Sequence, residues 1–352
     1  MSIKAVDLFC GAGGLTHGLI SSGINVVAGY DIDPICKWAY EKNNKGAKFF
    51  HTDVSKVSGK DIETHLLGAE IRLLAGCAPC QPFSTYSLGK TDQQDKRWTM
   101  LDEFARLVDE TEPDLITMEN VPQLLKHEIF QKFKSHLEEL GYEVTSQVIA
   151  CADYGIPQDR KRLVLLASRL GGPLSVRPRN PRKDRVKTVR QAIGSMPPIK
   201  AGEVHYKDKL HAASDLNEIN LKRIRNSKPG GSWKDWDESL ISDCHKSETG
   251  KSFGSVYGRM EWSKPSPTIT TQFYGFGNGR FGHPEQDRAL SLREGAILQS
   301  FPKRYSFVPK KQVVETRNIG RLIGNAVPVK LGKVIGESII EHVRLYRPHA
   351  LI

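Results

Sequence analysis

The 352 residues hold 51 Lys and Arg against 40 Asp and Glu, a formal charge of +11, and 39% are hydrophobic. Length and composition suit a soluble globular protein with one large domain and a smaller one. They exclude a membrane-spanning chain, since no run of about 18 apolar residues occurs. The spacing of the six cysteines (Cys10, Cys36, Cys77, Cys80, Cys151, Cys244) excludes a disulfide framework and fits a reducing cytosol. The first residues enter a strand pattern without a signal-peptide core. The positive charge is compatible with a polyanionic partner without requiring one.

In chain order, the first expected strand is Ile3–Phe9. It runs into Gly11-Ala12-Gly13-Gly14, where glycines would let the backbone approach a ligand at a strand-to-helix turn. Such a turn can also serve packing alone, and it lacks the G-x-G-x-x-G spacing of NAD sites. The second strand is Val26–Ile32. Asp31 near its end lies about 20 residues past the turn, where a carboxylate accepts from ribose hydroxyls. A helix over Asp33–Asn43 and a strand over Lys48–Val54, carrying Asp53, follow. The strand Arg72–Gly76 leads into Gly76-Cys77-Ala78-Pro79-Cys80-Gln81-Pro82-Phe83-Ser84. A thiol at Cys80 can serve as a carbon nucleophile. Cys77 and Cys80 also have redox-pair spacing, but that motif belongs in a compact domain of about 100 residues and leaves the other motifs unexplained.

Next come a helix over Lys96–Glu110 and a strand over Leu115–Val121 that ends in Met118-Glu119-Asn120-Val121. Leu124, Leu125, Ile129, Phe133, Leu137 and Leu140 recur at helical spacing and predict a helix over Gln123–Leu140. The strands Val144–Ala150 and Arg162–Ser168 complete the pattern. The second is opened by Gln158-Asp159-Arg160-Lys161-Arg162, whose paired guanidiniums could by spacing alone form a solvated face. The alternation predicts an α/β fold with a doubly wound, mostly parallel sheet. It breaks near Gly171-Gly172-Pro173. From Arg177 to Arg190 there are seven basic residues and one acid. Periodicity stays weak to about Trp262, as in a loop-rich domain in which Trp233 and Trp236 are expected in the core. Phe273–Arg280 reads equally as a ligand-facing loop or a structural turn. A closing helix is expected over Val329–Tyr346.

Four blocks in order, D-L-F-C-G-A-G-G, G-C-A-P-C-Q-P-F-S, M-E-N-V and Q-D-R-K-R, resemble the C5-cytosine DNA methyltransferases. Two later blocks extend the resemblance. One joins Ser266-Pro267-Thr268-Ile269-Thr270-Thr271 to Arg288–Glu294, and the other is Ile323-Gly324-Asn325-Ala326-Val327-Pro328. The similarity covers nearly the whole chain except about 90 residues after Arg169. It implies residues 1–170 plus about 320–352 as a catalytic and cofactor-binding domain. About 171–319 would form a small target-recognition domain and hinge, with a variable segment over 171–262.

The resemblance implies S-adenosylmethionine as cofactor. Phe9 would pack on adenine, and Gly11, Gly13 and Gly14 would pass under the methionine. Asp31 would bind ribose and Asp53 the adenine amino group. Leu15, Ile32, Val54, Pro79, Asn325, Ala326 and Val327 would complete that site, with Asn325 near the methionine end or acting as a helix cap. Cys80 would add to C6 of cytosine, Glu119 act at N3 and Arg162 at O2. Arg160 would fix the loop carrying Cys80 and a nucleotide phosphate. Cys77 is expected to be a small buried residue, and Asn120 to hold the loop near Cys80. Gln81 and Ser84 would touch the DNA backbone. Arg177, Arg179, Arg182, Lys183 and Arg185 would contact DNA from the recognition segment. The implied partners are double-stranded DNA and, for a modification enzyme, a cognate restriction endonuclease. A monomer without a metal is expected. Two alternatives stay open: a tRNA cytosine methyltransferase on the same domain, and a non-catalytic DNA-binding relative.

Overall fold

The computed structural model describes residues 3–79, 99–176, 186–247, 250 and 254–351. The chain divides into two compact units, one of Met1–Tyr154, Lys161–Asn180 and Val327–Ile352, the other of Gly155–Arg160 and Pro181–Ala326.

The first unit opens with β1 (Ile3–Leu8), α1 (Gly14–Ser22), β2 (Asn25–Asp31), α2 (Cys36–Asn43) and β3 (Lys48–His51). It continues with α3 (Gly59–Leu66), β4 (Ile71–Gly76), α4 (Thr99–Thr111), β5 (Leu115–Asn120), α5 (Glu128–Glu139) and β6 (Glu143–Ala150). After the short β7 (Gln158–Asp159) of the second unit come β8 (Lys161–Ser168) and, much later, the closing helix Val329–Tyr346. The sheet has seven strands in the order β3-β2-β1-β4-β5-β8-β6. The first five are parallel, and β8 lies antiparallel between β5 and β6. This is the expected α/β, mostly parallel architecture. Its central strands read as near-continuous apolar runs because both faces are covered. Ala5, Val6, Leu8, Leu73, Leu74, Ala75, Leu115 and Ile116 are fully buried.

Glycine sets how the closing helix meets α1. A Cβ on Gly18 would stand 2.6 Å from the Gly332 backbone carbon, so only a hydrogen lets the two helices approach this closely. At the end of α1, Gly23 has φ 105° and donates to the Ile20 and Leu19 carbonyls, which stops the helix.

Some predicted elements change at their ends. The helix expected over Gln123–Leu140 is divided: Pro122–Lys126 is a 3-10 turn, His127 is extended, and α5 begins at Glu128. Pro122 suits the first position of the turn, where no N–H is needed. The helix expected from Asp33 starts at Cys36. The strand expected to Val54 ends at His51, because Asp53 caps a short 3-10 turn over Val54–Lys56.

The second unit has a core of Ile224, Trp233, Trp236, Phe276 and Ala289, so both tryptophans are buried as expected. Arg288 and Glu294 form a fully buried ion pair at 2.7 Å, with Glu294 also completing a capping box with Ser291. β7 pairs in parallel with β9 (Ser266–Pro267). In Phe273–Arg280, Phe273 and Phe276 are buried and Asn278 Nδ2 donates to the Gln272 carbonyl at 3.2 Å. Residues 155–160 and 320–326 belong to this unit, and 171–180 to the first.

Candidate active site

Rare backbone conformations shape the turn between β1 and α1. Phe9, Gly11 and Gly13 have φ of 56°, 52° and 83°. A Cβ at Gly11 would meet no described atom within 4 Å. Asp31 ties this turn to β2: its Oδ2 accepts from Gly11 N at 2.8 Å and its Oδ1 from Asp33 N at 2.9 Å. A carboxylate oxygen can accept twice, so these bonds do not preclude a ligand hydroxyl. Ile32, just past β2, is 64% exposed. Gly13, Gly14, Leu15 and Val54 are buried, while Asp53 Oδ1 accepts from Ser55 N at 3.1 Å.

The sequence reading did not single out Asp7. Its side chain lies in the core, Thr16 Oγ1 donates to Oδ2 at 2.6 Å, and Oδ1 has no partner among the described residues. Burial, opposed by the Thr16 hydroxyl and helped by the charge of Asp31, pushes the Asp7 carboxyl up to about 7. Burial, then the charges of Asp7 and Asp31, also push the Cys10 thiol up, so Cys10 keeps its proton.

The second cluster surrounds Glu119, whose position follows from strand register. In the parallel pair β4–β5, Gly76 lies opposite Met118. The next residue, Cys77, continues the ladder by donating its N–H to the Leu8 carbonyl at 3.2 Å. It therefore comes level with Glu119, and its Sγ donates to Glu119 Oε2 at 3.0 Å. On the other flank, Glu119 lies opposite Val164 of antiparallel β8. Arg162, two residues away, presents its side chain on the same face as Val164 and reaches Glu119 diagonally. Its Nε lies 2.8 Å from Oε1 as an ion pair, without the N–H aimed at that oxygen. The side chains are 12% and 3% exposed, so this charge pair is largely out of water. The expectation for Cys77 is corrected: it is half-buried and binds the carboxylate, because the end of β4 aligns it with the end of β5.

Asn120 Nδ2 donates to the Ala78 carbonyl at 3.1 Å, two residues before Cys80, which holds this segment in the expected way. Pro79 is exposed. Cys80, Gln81, Ser84, Arg177, Arg179, Arg182, Lys183 and Arg185 lie outside the described residues. Arg160 is buried in the second unit, where Nη1 donates to the Ile269 carbonyl at 3.0 Å and Nη2 to that of Gly324 at 3.4 Å. Beside it, Gln158 Nε2 donates to Gln299 Oε1 at 2.8 Å and Gln158 Oε1 accepts from Ile269 N at 2.9 Å. Asn325 is exposed as the last residue of the helix Thr316–Asn325 and does not cap the closing helix, where Pro328 stands at the cap position. Ala326 and Val327 are buried.

The Rossmann-like sheet, the glycine turn and the clasped glutamate define a methyltransferase-type α/β enzyme. By sequence, the chain belongs to the C-5 cytosine-specific DNA methylase family, whose model matches residues 3–341. It is 52% identical to the type II methylase M.HgiDII of Herpetosiphon aurantiacus, over 95% of this chain and 94% of that one. It is 32% identical to the type II methyltransferase M1.HphI of Haemophilus parahaemolyticus, over 97% and 87%. Among solved structures, a prophage-encoded DNA modification methyltransferase from E. coli superposes with a TM-score of 0.73 at 22% identity, over 97% and 99% of the chains. The Dnmt2 methyltransferase of S. pombe gives 0.62 at 19%, over 99% and 100%. At these identities, the two structures bear on the fold alone.

Proposed function

We propose that this enzyme transfers the methyl group of S-adenosylmethionine to C5 of cytosine within a specific sequence of double-stranded DNA, as the modification half of a restriction system. The observation that carries this reading is the buried Glu119, held between Cys77 and Arg162 at the end of β5.

The glycine turn fits the cofactor. Open space lies beside Gly11, Asp31 can accept from ribose hydroxyls, and Asp7 has a buried oxygen without a partner among the described residues, and a cationic ligand would favour the charged form of this carboxyl. Phe9, Gly11, Gly13, Gly14, Leu15, Asp31, Ile32, Asp53 and Val54 would hold it. When bound, the cofactor supplies an electrophilic methyl group.

The chain's own residues do the rest. A cytosine inside a duplex is out of reach, so the target base must be turned out of the stack. C5 is a poor nucleophile until a thiolate adds at C6, the role of Cys80. That addition builds electron density toward N3 and O2. Glu119 moves a proton at N3, and Arg162 orients the Glu119 carboxylate and offers positive charge to O2. After methyl transfer a base removes the C5 proton and the Cys80 thiolate leaves C6, restoring the ring. Arg162 and the neighbouring strands keep water from most of this carboxylate, which strengthens each interaction. The basic stretch from Arg177 to Arg190 reads the surrounding sequence. Arg190, described at the end of that stretch, sits over the Trp262 ring at 4.9 Å, where a planar cation is well placed against a nucleic acid.

Labelled S-adenosylmethionine offered with duplex DNA or tRNA tests this reading. Label should enter duplex DNA at C5 of cytosine. Label in tRNA would favour the RNA alternative, and none in either a binding relative. A duplex with 5-fluorocytosine at the target should form a stable adduct, since fluorine cannot leave as a cation. Mass spectrometry should place it on Cys80, and an adduct elsewhere would overturn the assignment.

A further inference from the structure

We infer that Cys77 is a positioning residue for the reaction, acting through Glu119. The inference rests on the proposed role of Glu119. The geometry comes from strand register: Gly76 is level with Met118, and so Cys77 is level with Glu119. Sγ lies 3.0 Å from Oε2, while the Arg162 guanidinium lies 2.8 Å from Oε1. Each oxygen of one carboxylate therefore faces a different neighbour, Cys77 just past β4 on one side and Arg162 of β8 on the other.

The two holds differ in kind. Arg162 cannot lose its proton, so its charge on Oε1 is permanent. A thiol is a weak donor with one hydrogen and a rotatable S–H bond. It directs Oε2 without adding a second charge, and it can turn away as that oxygen engages a base. Two guanidiniums in its place would bind the carboxylate so strongly that proton transfer from it would be opposed. An apolar residue would leave Oε2 free to rotate out of line. A thiol between these limits fixes the direction of the carboxylate and leaves it reactive. The redox-like Cys77–Cys80 spacing thereby gains a second explanation, in which the two thiols have separate tasks.

The test compares three replacements by single-turnover methyl transfer into duplex DNA, with cofactor and duplex affinities measured separately. Cys77→Val keeps the volume and removes the donor. Cys77→Ser keeps a donor and loses volume. Cys77→Ala loses both. The positioning role requires Cys77→Val to be slower by about tenfold or more, the scale for losing one hydrogen bond to a charged group, with both affinities within about twofold of wild type. Cys77→Ser should recover most of the rate. A packing role gives the reverse order, valine near wild type and serine impaired, and would overturn the inference. So would a wild-type rate in both. If Cys77→Ala proves unfolded by thermal melting, the valine–serine comparison still decides. Glu119→Gln in the same assay separates the two levels. A wild-type rate there removes the role of Glu119 itself, whereas a slow Glu119→Gln beside a normal Cys77→Val removes only that of Cys77.

Discussion

Arg162→Met would test the electrostatics of the site most directly. The change keeps much of the stem and deletes the guanidinium facing Glu119. The two charges lie 2.8 Å apart, with side chains 12% and 3% exposed. At an effective dielectric of about 20, their gross attraction is about 6 kcal/mol. Much of this offsets the desolvation of two ions, so the pair as a whole contributes far less. Removing one partner is a different matter, because the Glu119 charge then stays buried with, among the described residues, only the Cys77 thiol beside it. Breaking a buried pair this way costs about 3–5 kcal/mol, a large part of a typical total of about 5–15 kcal/mol. Urea unfolding followed by a probe in the first unit should show this loss for Arg162→Met. Adding Glu119→Gln should restore part of that stability, because the orphaned charge is gone, and the double-mutant cycle should give a coupling of about 2 kcal/mol. Arg162→Met within about 0.5 kcal/mol of wild type, or strict additivity of the two changes, would show that the ion pair is solvated and would refute this account of the site.

Asp31→Ala should weaken S-adenosylmethionine by about 3 kcal/mol in calorimetric titration, since it removes a ribose acceptor and also the anchors of Gly11 N and Asp33 N at 2.8 and 2.9 Å; unchanged affinity would place the cofactor elsewhere. Asp7 has a folded-state value raised from 3.8 to about 7, so the folded protein holds more protons than the unfolded chain between these limits. Its contribution is fully present below pH 3.8 and is lost as pH rises through about 7, with a ceiling of about 4 kcal/mol. Asp7→Asn should accordingly flatten the fall in melting temperature between pH 5 and 8 relative to wild type, and parallel curves for the two proteins would refute the burial argument. Gly18→Ala should destabilise the first unit by about 1–3 kcal/mol, because its Cβ would meet the Gly332 backbone at 2.6 Å; an unchanged melting curve would mean that the helices separate freely.

Local pattern determined much of this protein. Strand-length runs alternating with amphipathic stretches marked all seven strands of the main sheet, most clearly the central parallel ones, because strands covered on both faces need apolar residues throughout. The closing helix agreed with its expected span, Val329–Tyr346, since an amphipathic repeat sustained over 18 residues leaves little choice. Element ends were less legible. Asp53 and His127 act through caps and turns of a few atoms, which periodicity does not register.

The family blocks pointed to Glu119 and Arg162 as separate residues in separate motifs. Only the tertiary structure brought them together, because β8 enters antiparallel beside β5 and its pairing with β5 decides which side chains share a face. The same holds for Cys77. In the sequence it is a neighbour of Cys80, three residues away. In the fold it is level with Glu119, 42 residues along the chain, because parallel strands align residues that no local pattern connects. Asp7 is the same kind of case. Local pattern places Asp7 within the first strand beside the glycine turn, and only the tertiary structure, in which Thr16 of α1 donates to it, shows it removed from water with one oxygen unpartnered among the described residues.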